Sequence, residues 1–177
     1  MADKAYTPAG TGHVHRARTS YTVRRWAVRH ARLLEFIYQQ VADILLLLHP
    51  LWNLIGYRRV EKPVVIIEGL VKGFLFDCRM CGHCVLTSTG MSCPMNCPKQ
   101  LLNGPCGGVG ADGMCEVEPD MDCVWTEAWK GSRMMRRGDL IMAVQMPLDQ
   151  SLRQTSSWLR ATARRAADKA AGGKEGQ

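Results

Sequence analysis

All eight cysteines of this chain fall between Cys78 and Cys123, and no other feature limits so strongly what the chain can fold into. They are Cys78, Cys81, Cys84, Cys93, Cys97, Cys106, Cys115 and Cys123, spaced C-x2-C-x2-C-x8-C-x3-C-P-x7-C-x8-C-x7-C. Two intervening residues let a tight turn aim both sulfurs at one centre, and a third cysteine at the same interval continues the wrap. The first twenty residues, MADKAYTPAGTGHVHRARTS, carry no apolar core ahead of a small-residue cleavage site, so no secretory signal is read there. The expected location is the cytoplasm, where thiols stay reduced. Dense thiols in a reduced compartment point to metal rather than disulfides.

Eight thiolates divide naturally into two sites of four, each fit for a [4Fe–4S] cluster or a tetrahedral zinc. The consecutive C-x2-C-x2-C triplet and the later Cys93-x3-Cys97-Pro98 resemble parts of the bacterial ferredoxin run, although eight residues separate Cys84 from Cys93. The triplet favours iron–sulfur over paired zinc knuckles. Glycines at 82, 90, 104, 107 and 108 would let backbone N–H groups approach cluster sulfurs. Met80, Met91, Met95 and Met114 read as ordinary packing. One partition places Cys78, Cys81, Cys84 and Cys97 on one centre and Cys93, Cys106, Cys115 and Cys123 on the other, with exchange of the distant members equally allowed. His83, inside the triplet, is an alternative ligand for zinc and otherwise a residue outside the ligand set.

The formal net charge of +7 is not spread evenly. Residues 1–32 carry seven Lys/Arg against one acid and residues 153–174 six against one, whereas residues 77–123 carry six acids against two bases. The positive excess therefore lies in the ends, which read as solvated arms. There is no paired Cys/His finger spacing and no aromatic–basic interleaving, so a nucleic-acid partner is not expected.

From Tyr21, apolar residues at Val23, Trp26, His30, Leu33, Ile37, Val41, Ile44 and Leu48 predict one face of an amphipathic helix, ended or kinked by Pro50. The longest apolar run there, Ile44–Leu48, is far short of the about 20 residues needed to span a bilayer, so no transmembrane segment is expected. VVII (Val64–Ile67) reads as a short buried strand or extended segment, followed by a short helix through Glu68–Leu75. VWTEAWKGSRMM begins a helix, IMAVQMPLD reads as extended chain, and the tail ATARRAADKAAGGKEGQ reads as frayed. The fold class is thus a small α+β or irregular one: an N-terminal amphipathic helix, then a loop-rich cysteine domain organised around metal centres. The expected divisions are a flexible basic arm over 1–20, an amphipathic helical region over 21–60, the cysteine-rich metal-binding domain over 61–150, and a C-terminal segment with flexible tail over 151–177.

Other signals are weaker. GVGADG (Gly108–Gly113) matches G-x-G-x-x-G but lacks the strand and helix of a dinucleotide site, and turn glycines are the better reading. Glu68 and Asp77 have no evident partner in the sequence. Trp125, Trp129 and Trp158 read as packing or interface anchors. No catalytic set or nucleotide-binding loop is present.

The stretch LFDCRMCGHCVLTSTGMSCPMNCPKQLLNGPCGGVGADGMCEVEPDMDCVW resembles the methylenetetrahydrofolate reductase C-terminal domain family. The triplet, TGMSCPMNCPK, NGPCGG, DG-x-CEV and CVW carry the resemblance, and RRWAVRHAR, HPLWNLIGY and SSWLR extend it over roughly residues 21–160. In that family the cysteine-rich unit accompanies a flavin-bearing (β/α)8 reductase. A barrel of about 250 residues does not fit in this chain, so the resemblance implies a stand-alone accessory subunit, non-catalytic by itself, in one-carbon folate metabolism. It implies metal binding through the eight cysteines. The expected function is electron transfer through two [4Fe–4S] clusters to the flavin of the partner subunit, from a donor the sequence does not name. The alternative is a zinc-stabilised scaffold of the same reductase that passes no electrons.

Overall fold

The computed structural model describes residues 21–104 and 106–172, so the expected arm at 1–20 and the last residues of the tail lie outside it. Helices dominate: α1 (Tyr21–Arg29), α2 (Ala31–Leu47), α3 (His49–Ile55), α4 (Tyr57–Phe76), α5 (Val124–Ser132) and α6 (Ser157–Gly172). Among the described residues, β structure is limited to two isolated bridges, Val109 with Cys115 and Met114 with Asp122. The β half of the expected α+β class is reduced to these.

The single N-terminal helix of the sequence reading is three helices. His30 (φ −106°, ψ 26°) interrupts the first two, and Pro50 sits in the first turn of α3, where its missing N–H costs nothing. The expected buried face is also displaced. Trp26, Leu33, Ile37 and Ile44 are exposed, while Ala27, Val28, Ala31 and Leu34 are buried. Two alanines one turn apart let neighbouring backbones come close, and α1 packs against both α4 and α5 there.

Gly56, at φ 91°, turns the chain into α4, which packs on α3 and on α1. His49 meets Tyr57 at one end, and Phe76 joins Ala27, Ala31 and Leu34 at the other. The expected VVII strand lies inside this helix. Its buried stripe is Glu68, Lys72 and Phe76, spaced by four, while Ile66, Ile67, Leu70, Val71 and Phe74 face outward. The helical period is therefore written in buried charge, where an apolar pattern cannot reveal it.

The expected frayed tail is also corrected. Its described part forms α6, which packs on α2 and α4 and buries Leu159 and Thr162. Expected extended chain at IMAVQMPLD begins instead in a 3₁₀ turn, Gly138–Met142, and is irregular beyond it. α4 crosses the 60/61 boundary.

The cysteine segment between α4 and α5 is turns and irregular chain, with one 3₁₀ turn at Pro94–Asn96. It is pinned to α5 where Gly90 (φ 59°) meets Gly131. A Cβ on Gly90 would lie 2.2 Å from the Ala128 carbonyl oxygen, and one on Gly131 would lie 2.0 Å from that of Gly90. Only glycine on both sides permits the approach. The GVGADG segment is a turn closed by Gly113 N–H donating to the Gly110 carbonyl at 2.9 Å, in keeping with turn glycines.

Candidate metal centre

The end of α4 delivers the first cysteine. Asp77 adopts a left-handed conformation (φ 50°). Its N–H donates to the Gly73 carbonyl at 3.1 Å, and Cys78 N–H donates to that of Lys72 at 3.2 Å, closing the last turn. Asn96 Nδ2 donates to the Phe76 carbonyl at 2.8 Å, satisfying one of the helix-end acceptors. Asp77 is paired with Arg79 at 3.3 Å, so it is not the isolated carboxylate of the sequence reading.

Beyond Cys78 the chain bends around its own sulfurs. Met80 N–H points at Cys78 Sγ at 3.4 Å, and the Cys81 thiol donates to the His83 carbonyl at 3.3 Å. Gly82 (φ 81°) presses on Leu152, whose carbonyl oxygen would lie 2.2 Å from any Cβ placed there. Arg160 Nη1 donates to the Gly82 carbonyl at 2.7 Å. The triplet is thus held from outside by the segment leading into α6. His83 stands at the edge, its Nε2 accepting from Asp149 N–H at 3.3 Å.

Cys78, Cys81, Cys84 and Cys93 line one cavity of about 500 Å³. Burial raises the Cys93 thiol, and its neighbours Cys78, Cys81 and Cys84 push the same way. Burial likewise pushes Cys78 up to about 11, opposed by the Met80 N–H and the Lys72 charge and assisted by Cys84 and Cys81. Cys81 is raised by burial too, with Cys84 adding to it. The four sulfurs therefore feel one another. Clustered, desolvated thiols stay protonated near neutrality and give up their protons when a metal replaces them.

Cys93, and not the Cys97 of the partition read from the sequence, lines this cavity with the triplet. Cys97 is buried against Met121 and Val124, and Cys115 packs on the same cluster. Cys106 Sγ accepts from Gly108 N–H at 3.3 Å and from Lys99 Nζ at 3.7 Å, and Lys99 also pairs with Glu116. Cys123 is buried with Trp125 and Ala128. All eight thiols are free of disulfides. Among the described residues, no three Cys, His, Asp or Glu side chains are gathered closely enough to hold one metal ion.

Beside the first group stand Tyr38 and Lys72, which the sequence did not single out, and Trp158, which it marked only as a packing or interface anchor. Tyr38 OH donates to Cys84 Sγ at 2.9 Å, and Trp158 Nε1 donates to Tyr38 OH at 3.2 Å. Lys72 Nζ lies 5.4 Å from the Tyr38 ring centroid and 4.9 Å from that of Trp158, within cation–π range. Lys72 and Glu68 are each 1% exposed and paired at 2.6 Å. The Glu68 carboxylate also accepts from Ser156 Oγ at 2.6 Å, from Ser157 Oγ and from Trp158 N–H at 3.4 Å. Burial favours its neutral form, but the Lys72 charge and these hydrogen bonds outweigh it and hold the carboxyl below its usual range. Burial also opposes the Lys72 charge, and Cys84, Tyr38 and Glu68 together overcome it. The spacing of Glu68 and Lys72 by four was a faint signal of an ion pair. The serines and the tryptophan stand about ninety residues away in sequence, where no local pattern reaches.

No helix among the described residues is long and apolar enough to cross a membrane. Neither a curated protein nor a solved structure matches the chain. The family described as methylene-tetrahydrofolate reductase C terminal matches residues 57–151, more than half of the chain and every cysteine in it. The cysteine-rich chain with its helical frame thus belongs to the methylene-tetrahydrofolate reductase C-terminal family.

Proposed function

We propose that this chain is an iron–sulfur electron-transfer subunit of a flavin-dependent methylenetetrahydrofolate reductase. The observation that carries the reading is the group of four thiols, Cys78, Cys81, Cys84 and Cys93, around one cavity. A tetrahedral zinc would draw its sulfurs to about 2.3 Å from one point, whereas a four-iron cube holds its four ligands apart at its corners. Four thiols lining one cavity, three of them at the x2 spacing, favour the cube. The environment fits as well: Met80 N–H and Tyr38 OH point at cysteine sulfurs, and the buried Lys72 ammonium offsets thiolate charge. Cys97, Cys106, Cys115 and Cys123 would hold the second cluster.

When bound, such clusters supply one-electron transfer at potentials set by hydrogen bonding, charge and burial. The chain's own residues exclude water, fix the sulfurs and present a surface to the flavin-bearing barrel subunit. The outward faces of α2 and α4, including Phe36, Ile37, Ile66, Leu70 and Phe74, are apolar and exposed, as a subunit interface requires.

The test is made on protein purified without oxygen, with visible spectra before and after dithionite and iron, sulfide and zinc counted on one sample. About eight irons, as two four-iron clusters require, together with absorption bleached by dithionite, is the expected result. A colourless protein with zinc and no iron would overturn electron transfer and leave a scaffold subunit of the same reductase.

A further inference from the structure

We infer that Tyr38 is a positioning residue that sets the reduction potential of the cluster held by Cys78, Cys81, Cys84 and Cys93, through the hydrogen bond from its hydroxyl to Cys84 Sγ. The inference rests on the iron–sulfur reading above and goes beyond it, because it distinguishes the two centres by a residue outside both ligand sets.

The geometry leaves the hydroxyl little choice. An indole N–H is a donor only, so Trp158 Nε1, 3.2 Å away, occupies an acceptor side of the Tyr38 oxygen. The single hydroxyl proton is then free for Cys84 Sγ at 2.9 Å. The ring is fixed by the edge-on contact with Trp158, centroids 6.4 Å apart, and by the Lys72 ammonium over its face. Lys72 is in turn fixed by Glu68 and Ser157. Tyr38 comes from α2, Glu68 and Lys72 from α4, and Ser157 and Trp158 from α6, so the hydrogen bond exists only in the assembled helical frame.

Reduction adds one electron, and one negative charge, to the cluster. A hydrogen bond donated to a ligand sulfur and a nearby buried cation both favour the more negative state, so both raise the potential. Among the described residues, no side-chain hydroxyl donates to a thiol of the second group. There Cys106 receives Gly108 N–H and the exposed Lys99 ammonium. The tyrosine therefore separates the potentials of the two centres, which gives a direction to electron flow within one small chain.

The experiment is an anaerobic redox titration of the full chain, with dithionite as reductant, followed by electron paramagnetic resonance and with iron counted on every sample. Tyr38→Phe keeps the ring and deletes the donor. The expected result is full iron, one centre unchanged, and the other harder to reduce by about tenfold, which for one electron is about 59 mV. Replacing Tyr38 by 3-fluorotyrosine, a stronger donor of almost the same shape, should shift the same centre the opposite way. It also serves as the readout if Tyr38→Phe loads poorly. Full iron with neither potential moved in either variant would overturn the inference and leave the iron–sulfur reading intact, as would equal shifts of both centres. Wild-type protein without iron would overturn both.

Discussion

Replacing Lys72 by Met should remove a substantial part of the stability of this chain. The stem keeps its length and apolar volume, but the ammonium that neutralises Glu68 is gone. Both residues are 1% exposed, so water cannot take over. Stranding one member of a buried pair costs about 3–5 kcal/mol. The carboxylate still has Ser156, Ser157 and Trp158 N–H as donors, which places the expectation at the lower end, about 3 kcal/mol. Against a total of about 5–15 kcal/mol for an ordinary domain, the loss is easily measured. The double variant Lys72→Met with Glu68→Gln removes the stranded charge and should recover about half of it. The assay is urea unfolding of wild type, both single variants and the double variant, at matched iron content and pH 7, with the midpoint shift read at unchanged slope. A Lys72→Met protein within about 1 kcal/mol of wild type would refute the argument. So would additive single losses, because residues in one network should couple.

Further expectations follow from the same contacts. Glu68 has its carboxyl lowered in the fold, so its contribution is fully present above the unfolded value near 4.5 and fades as pH falls through the lower folded value. Acid titration of wild type should show this loss beginning below about pH 4.5, and Glu68→Gln should flatten it. Cys78 runs the other way: in the metal-free chain its raised thiol contributes stability below pH 9 that is lost as pH rises from 9 towards about 11, a loss absent from Cys78→Ala in alkaline melts. Gly90→Ala forces a side chain into a left-handed backbone, which alone costs about 1–3 kcal/mol, and onto the Ala128 carbonyl; thermal melts should show a larger loss than for Gly107→Ala, where nothing lies within 4 Å. Cys93→Ser and Cys97→Ser should each deplete a different one of the two centres, read by electron paramagnetic resonance. Loss of the same centre in both would return Cys97 to the triplet's site.

The grouping of the first thiols was legible because x2 spacing acts locally: a tight turn is enough to bring Cys78, Cys81 and Cys84 to one cavity. The family could be read from the same stretch, since TGMSCPMNCPK and its neighbours are contiguous. The start of the helical region at Tyr21 and the helix after Cys123 were also within reach of a local pattern. The buried face of α1 and α2 was not, because Ala27 and Ala31 are buried for being small and several larger side chains around them are exposed. The helical state of VVII was hidden for a related reason: α4 buries Glu68 and Lys72 and exposes Ile66 and Ile67, inverting the polarity on which periodicity depends.

What the sequence by itself determined is the chemistry available: eight thiols, their local turns, and the glycines that let the chain double back. Which thiols come to line one cavity was decided only by the tertiary structure. Cys93 and Cys97 are four positions apart, and either can be reached from the triplet along the chain. Cys93 lines the cavity of the triplet, with Gly90 just before it locked onto Gly131 of α5, while Cys97 is drawn into the apolar cluster with Met121 and Val124. Tyr38, Lys72 and Trp158 come from three helices and meet at Cys84 for the same reason. Packing energy is summed over contacts distant in sequence, and no local pattern records that sum.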